Sequence, residues 1–166
     1  YYNKDWKGAP SREFATFYRV IREANDEYKN LFRDFFITGE LQTEGSFISI
    51  DKKDDANSVF DGEMTSYYKN GLVSMHTFFV NGKEEGVRTE FEEDGSMCIQ
   101  TEMHNGVPKY DYYILSDNKG FSCKVQISDN KPIWESPKKE EQKIEYNDGV
   151  KWPYYANNGI SVGITN

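Results

Sequence analysis

Histidine, cysteine and proline are scarce in this chain: 2 His, 2 Cys and 5 Pro among 166 residues. Long apolar runs are absent. No stretch approaches the 18 or so uncharged apolar residues that a membrane-spanning helix requires, so the chain is expected not to be membrane-spanning. Basic residues are outnumbered by acidic ones, 20 to 28, for a formal net charge of −8. Affinity for a phosphate backbone depends on basic side chains that release counterions, and an anionic bilayer surface repels an acidic chain; nucleic acid and anionic membranes are therefore excluded as partners, while basic or neutral partners are favoured. The sequence has no Gly-x-Ser-x-Gly elbow, no phosphate-cradling glycine loop and no zinc-ligand spacing. No catalytic residue and no cofactor are expected. The chain is read as no enzyme.

Rings are plentiful. Aromatic residues make up 16% of the chain, with 12 Tyr, 11 Phe and 3 Trp, although hydrophobic residues as a class reach only 37%. Amphipathic rings suit pleated, half-buried strands, and they argue against a disordered chain despite its many charges.

One short pattern occurs twice: Gly62-Glu-Met-Thr-Ser-Tyr-Tyr68-Lys-Asn70-Gly71, then Gly86-Val-Arg-Thr-Glu-Phe91-Glu-Glu-Asp94-Gly95. Gly62 to Gly86, Asn70-Gly71 to Asp94-Gly95 and Asn81-Gly82 to Asn105-Gly106 are each 24 positions apart. A shared period at three landmarks marks a structural repeat. Asn-Gly and Asp-Gly between strand-like runs predict hairpins with type I′ turns, because both central positions of that turn need positive φ. The predicted fold is all-β or mainly β, an antiparallel meander of repeated hairpins with a period of about 24 residues and a short N-terminal helical turn.

In chain order, 1–32 form a lead-in and a first hairpin. Phe14, Phe17, Tyr18, Ile21 and Asn25 fall at helical spacing, but Phe17-Tyr18-Arg19-Val20-Ile21 is a dense run of strand formers. A helical turn at Ser11 to Ala15, a strand through Arg22, a turn at Ala24 to Glu27 and a return strand through Phe36 reconcile the two. Repeats occupy 33–131. Phe35-Phe36-Ile37-Thr38-Gly39 precedes its counterpart by 32 positions, and the polar stretch Asp51 to Asn57 accounts for the extra eight as an inserted surface loop. A fourth copy runs through Tyr110 to Tyr113, turns at Asp117 to Gly120, continues as Phe121 to Ile127 and turns again at Asp129 to Lys131. The region 132–166 holds a charged linker, Pro137 to Gln142, and an alternating strand, Ile160 to Ile164. That strand is expected either to open a further domain or to fold back on the array. The chain begins at Tyr1 rather than Met, which fits a processed leader as well as a trimmed chain.

With these landmarks, Gly62 to Gly82 and Gly86 to Gly106, preceded by Phe35 to Gly39, resemble the MORN-variant repeat: an opening Gly, an aromatic pair, Asn-Gly, a strand and a second Gly turn. The resemblance covers roughly 33–131 and departs from the pattern at Glu90-Phe91, where an aromatic pair is expected. It extends to exported bacterial proteins of Bacteroidetes type, some labelled antitoxin-like. It implies an extracytoplasmic module, periplasmic, surface or secreted, with no cofactor and no catalytic set.

His76 and His104 occupy different positions in their repeats and are read as partly exposed strand residues rather than metal ligands. Cys98 and Cys123, 25 apart, are placed in equivalent strands two places apart. That puts them about 10 Å from each other, too far for a disulfide, and predicts two free thiols. Asp51, Asp54, Asp55, Asn57 and Asp61 lack the alternation and closing Glu of a calcium loop and read as a solvated loop. In a strand, neighbouring side chains face opposite sides, so each aromatic doublet offers one ring for binding. Tyr67, Tyr68, Phe78, Phe79, Tyr112 and Tyr113 are therefore the candidate binding residues. The expected ligand is a protein partner, engaged through a sheet face or edge. Its rivals are the dedicated toxin partner of an antitoxin or immunity-type inhibitor, and a glycan laid on the tyrosines.

Overall fold

Alternation of apolar and polar residues at a period of two dictates strands almost throughout, and the computed structural model, which describes residues 1–25, 30–128 and 132–133, is one open antiparallel sheet. Its strands are β1 (Phe17–Arg22), β2 (Leu31–Phe36), β3 (Leu41–Ser49), β4 (Val59–Tyr67), β5 (Val73–Val80), β6 (Lys83–Glu84), β7 (Gly86–Phe91), β8 (Met97–His104), β9 (Val107–Pro108), β10 (Tyr112–Asp117), β11 (Ser122–Gln126) and β12 (Pro132–Ile133). They pair in chain order, and the two-residue strands β6 and β9 close hairpins with β5 and β8. This is the expected meander. Among the described residues, helical structure is confined to two short 3₁₀ turns, Arg12–Phe14 and Asp55–Asn57. No helix among the described residues is long and apolar enough to cross a membrane.

The helix-or-strand conflict near the N-terminus resolves as anticipated. Arg12–Phe14 makes the short turn, and Phe17–Arg22 pairs residue for residue with β2, from Phe17↔Phe36 to Arg22↔Leu31. Ladder bonds and ring stacking override the local helical spacing. The turn placed at Ala24 to Glu27 runs into residues outside the description, as do the turn at Asp129 to Lys131, the linker at Pro137 and the strand at Ile160.

The turns are of two kinds, which corrects one expectation. At Asn81-Gly82 and Asn105-Gly106 both residues have positive φ (50° and 81°; 57° and 85°), and the flanking pairs Val80↔Lys83 and His104↔Val107 close true two-residue type I′ hairpins. Asn70-Gly71 and Asp94-Gly95 are different. There only the Gly is left-handed, and the first loop is five residues wide: the Gly71 amide donates to the Tyr68 carbonyl and the Tyr68 amide to the Leu72 carbonyl. Phe36 to Glu40 repeats both bonds and Asp117 to Phe121 the outer one, whereas the Asp94-Gly95 loop is one residue wider, its Glu92 amide donating to the Met97 carbonyl. The five-residue loops match type I turns with a G1 bulge. In the first pair of wide loops the Asx side chain does not itself need positive φ, because its oxygen is free to cap the chain two residues on: Asn70 Oδ1 accepts from the Leu72 amide and Asp94 Oδ1 from the Ser96 amide.

The opening glycines also have a physical reason. Gly62 and Gly86 carry φ of 109° and 77°, and each follows an acid. Asp61 Oδ1 accepts from the Asn81 amide at 3.0 Å, and Glu85 Oε2 from the Asn105 amide at 2.9 Å. Acid, bulged glycine and Asn-Gly turn thus form one device, repeated every 24 residues.

Cross-strand partners share a face, which sorts the sheet into two sides. One row starts at Arg19 and passes through Asp34, Thr43 and Ser66 to Cys123; the next starts at Val20 and passes through Arg33, Glu44, Thr65 and His76 to Lys124. On the Arg19 face the rings of Phe32, Phe47, Phe60 and Phe79 meet edge-on or tilted, with centroids 5.1 to 6.4 Å apart. The N-terminal segment folds back over this cluster. Tyr2 pairs with Phe17 and with Gly8, Trp6 stacks on Phe17 at 4.4 Å, and Tyr2 itself is buried. The N-terminal segment is therefore no extended lead-in: it returns to the sheet, burying Tyr2 and stacking Trp6 on Phe17. Truncating Phe32, which is almost fully buried at the centre of the ring cluster, should cost about 3–5 kcal/mol in Phe32→Ala, read as a lowered midpoint with unchanged slope in chemical denaturation.

Candidate binding face

The most constrained side chain lies on the covered face. Arg19 Nε and Nη2 donate to Asp34 Oδ1 and Oδ2, both at 2.7 Å, while Nη1 and Nη2 donate to Asp55 Oδ1 and Oδ2 at 2.5 and 2.9 Å. The three side chains are 4%, 1% and 12% exposed. Rings enclose the guanidinium, with Phe32 at 4.6 Å, Tyr2 at 5.1 Å, Phe60 at 5.6 Å and Trp6 at 5.8 Å. Burial opposes charge on Arg19, but its bonds to Asp34 and Asp55 overcome this and hold it protonated more firmly than a free arginine. Burial pushes the Asp34 carboxyl up against the pull of Arg19.

This cluster is how the 51–57 loop finds its place. Asp55 reaches Arg19, Asp54 pairs with Lys7, the Gly8 amide donates to the Lys53 carbonyl, and the Asp55 amide to the Trp6 carbonyl. The expected solvated loop is in fact a clamp on the N-terminal segment. Its other acids are also committed, since Asp51 Oδ1 accepts from the Lys53 and Asp54 amides and Asp61 caps Asn81. Nothing in the sequence flags the Arg19 cluster: its members are 15 and 36 residues apart and form no motif. Arg19→Met leaves two buried carboxylates facing each other and should destabilise the fold by about 3–5 kcal/mol, with Arg19→Lys failing to restore it because an ammonium cannot bond both carboxylates bidentately. Thermal melts of the two variants check this.

The six sequence-selected rings divide between the faces. Phe78, 42% exposed, stands open on the Val20 face, whereas Phe79 packs edge-on against Phe60 on the other. Tyr67 lies on the Val20 face, where its hydroxyl donates to Glu44 Oε1 at 2.9 Å. The Tyr68 hydroxyl donates to the Phe91 carbonyl at 2.5 Å and ties two units together. Tyr112 shares the Val20 face; its ring stacks on Tyr110 at 5.3 Å, and the Lys124 ammonium sits 4.9 Å from its centroid. Tyr113, opposite Val125, faces the covered side.

Around Phe78 the Val20 face hollows into a groove of about 750 Å³ that spans β1 to β5. Val20, 54% exposed, and Leu31, 37% exposed, form one wall and Phe78 the other. Glu44, Ser46 and Thr65 line its floor, and Glu63 stands directly opposite Phe78 in the ladder. Arg33 on the Val20 side is paired to Glu44 at 3.0 Å. Comparison of the chain with protein-family models, with curated proteins and with solved structures finds no match. The groove must therefore be interpreted from its own chemistry. Of the residues singled out in the sequence only Phe78 lines it; Val20 and Leu31 were missed, because exposure on one side of a half-buried strand is decided by register, which the sequence does not print.

The cysteines and histidines lie outside this groove. Cys98 and Cys123 are free, as expected, with β10 between their strands. They also lie on opposite faces, since Cys98 pairs with Ser116 and Cys123 with Leu115; the 25-residue spacing, one more than the repeat, turns the second thiol over. Burial raises both thiol pKa values. His104, exposed as anticipated, bonds Glu85 Oε1 through Nδ1 at 2.8 Å. His76 is buried rather than partly exposed, with its Nδ1 at 3.1 Å from Thr65 Oγ1. Burial holds His76 below the ordinary histidine pKa. The unfolded chain thus takes up a proton that the folded chain resists, and stability should decline as pH falls below about 6.5. Melting midpoints between neutral pH and about pH 5.5 should drop for the native chain and less for His76→Gln.

Proposed function

We propose that this chain is a non-enzymatic binding module of an exported bacterial protein, as its MORN-variant resemblance implies, and that it engages a protein partner through the Val20 face. The observation that carries this is the groove: three large apolar side chains, Val20, Leu31 and Phe78, stand exposed together on one face of the sheet. Contiguous exposed apolar surface of this kind marks an interaction site more often than an inert surface. The outer edge of β1 offers a second route. Tyr2 occupies that edge at Phe17, and the alternation of ladder bonds points the Arg19 and Ile21 backbone groups the same way, as a partner strand would require.

Two other readings differ in their occupants. An antitoxin or immunity-type inhibitor would use this same face on one dedicated toxin. A glycan would need open ring faces, but Tyr112 is stacked between Tyr110 and Lys124 and the Tyr67 hydroxyl is committed to Glu44. That weighs toward protein. Affinity capture from lysate and culture fractions of the source organism, with the native chain and a Phe78→Ser variant side by side, should retain one stoichiometric protein on the native chain and lose it on the variant. Polysaccharide alone, or an equal yield on both, would overturn the proposal.

A further inference from the structure

Building on the protein-binding reading, we infer that the groove between β1 and β5 takes a cationic segment of the partner, a basic side chain flanked by apolar ones. The charges of the groove are not symmetric. On the Val20 wall Arg33 is neutralised by Glu44, which also accepts from Tyr67. On the Phe78 side Asp61 and Glu63 both face the groove; the Asp61 carboxylate meets the Asn81 amide and no cation among the described residues, and Glu63 is exposed. The whole chain adds a formal charge of −8. The groove's two arginines, Arg22 and Arg33, thus stand on the Val20 side, whereas Asp61 and Glu63 stand at the Phe78 wall, so a cation entering from solvent is drawn to the Phe78 wall.

The shape agrees with a single segment. From β2 to β5 is three inter-strand spacings, about 14 Å, enough for one peptide element of roughly 10–12 Å with its side chains but not for a second sheet laid across it. Because the ladders of β2 to β5 consume the backbone groups of this face, recognition falls to side chains. An apolar residue of the segment packs on Val20 and Leu31, another on Phe78. Between them a lysine or arginine lays its aliphatic stem along the Phe78 ring and its charge on Glu63.

The test uses three dye-labelled peptides of equal length, made of Leu and Lys, Leu and Glu, or Ser and Lys, titrated with the full chain and followed by fluorescence anisotropy. The Leu/Lys peptide should saturate at one per chain, with the other two weaker by about tenfold or more. Phe78→Ser should weaken it by roughly tenfold and Glu63→Gln by roughly three- to fivefold, whereas Glu92→Gln with Glu93→Gln, on a distant turn, should change nothing. Leu31→Ser serves if Phe78→Ser no longer melts cooperatively. Equal binding of the Leu/Glu peptide, or equal losses at Glu63 and at the distant pair, overturns the inference. A captured partner that the Leu/Lys peptide does not displace overturns it too and leaves the protein-binding reading standing, while the absence of both partner and peptide binding overturns both.

Discussion

A single guanidinium holds the N-terminal half of this sheet together. Arg19 is bonded on two sides by carboxylates from β2 and from the 51–57 loop, and four rings, from the N-terminal segment, β2 and β4, close around it. A single-layer sheet has no second layer to cover its apolar face. Here the cover is improvised from the first ten residues and an inserted loop, and a buried cation that must be matched by anions dictates where that loop goes. Asp55 accepts from both Arg19 and Ser58, so the loop inserted between the first two units functions as the clamp of the core.

Beyond that clamp, stability is distributed along the chain. The two central units carry the same turn chemistry, an acid capping an Asn amide across a bulged glycine, and neighbouring units are joined by side-chain bonds such as Tyr68 to the Phe91 carbonyl and Thr43 to Ser66. Such an array depends on nearest-neighbour contacts rather than on a deep common core. That explains why so many buried side chains are Thr, Ser and His: a thin sheet hides small polar groups that can bond across one strand. The same thinness leaves the Val20 face open, with its apolar side chains available to a partner.

How much could be read beforehand depended on how local the cause was. Turns were legible because Asn-Gly and Asp-Gly act within four residues; even so, whether the Asn itself turned left-handed depended on loop width, which is why Asn70 and Asn81 ended differently. The doublet rule put Phe78 and Phe79 on opposite faces because strand alternation is a covalent fact, but which of the two faced outward was left to register. His76 could not be placed in the same way, since its burial comes from Thr65 and Thr89 on neighbouring strands.

The sequence by itself therefore determined the repeat, the meander order, the free thiols and the division of the Phe78-Phe79 doublet between the two faces, all of which follow from short-range geometry and spacing. Only the tertiary structure decided the Arg19 cluster, the folding-back of the N-terminal segment, the opposite faces of Cys98 and Cys123 and the walls of the groove. Each of these brings together residues from distant parts of the chain, or turns on a register that one inserted residue inverts. Spacing along a chain carries no record of either.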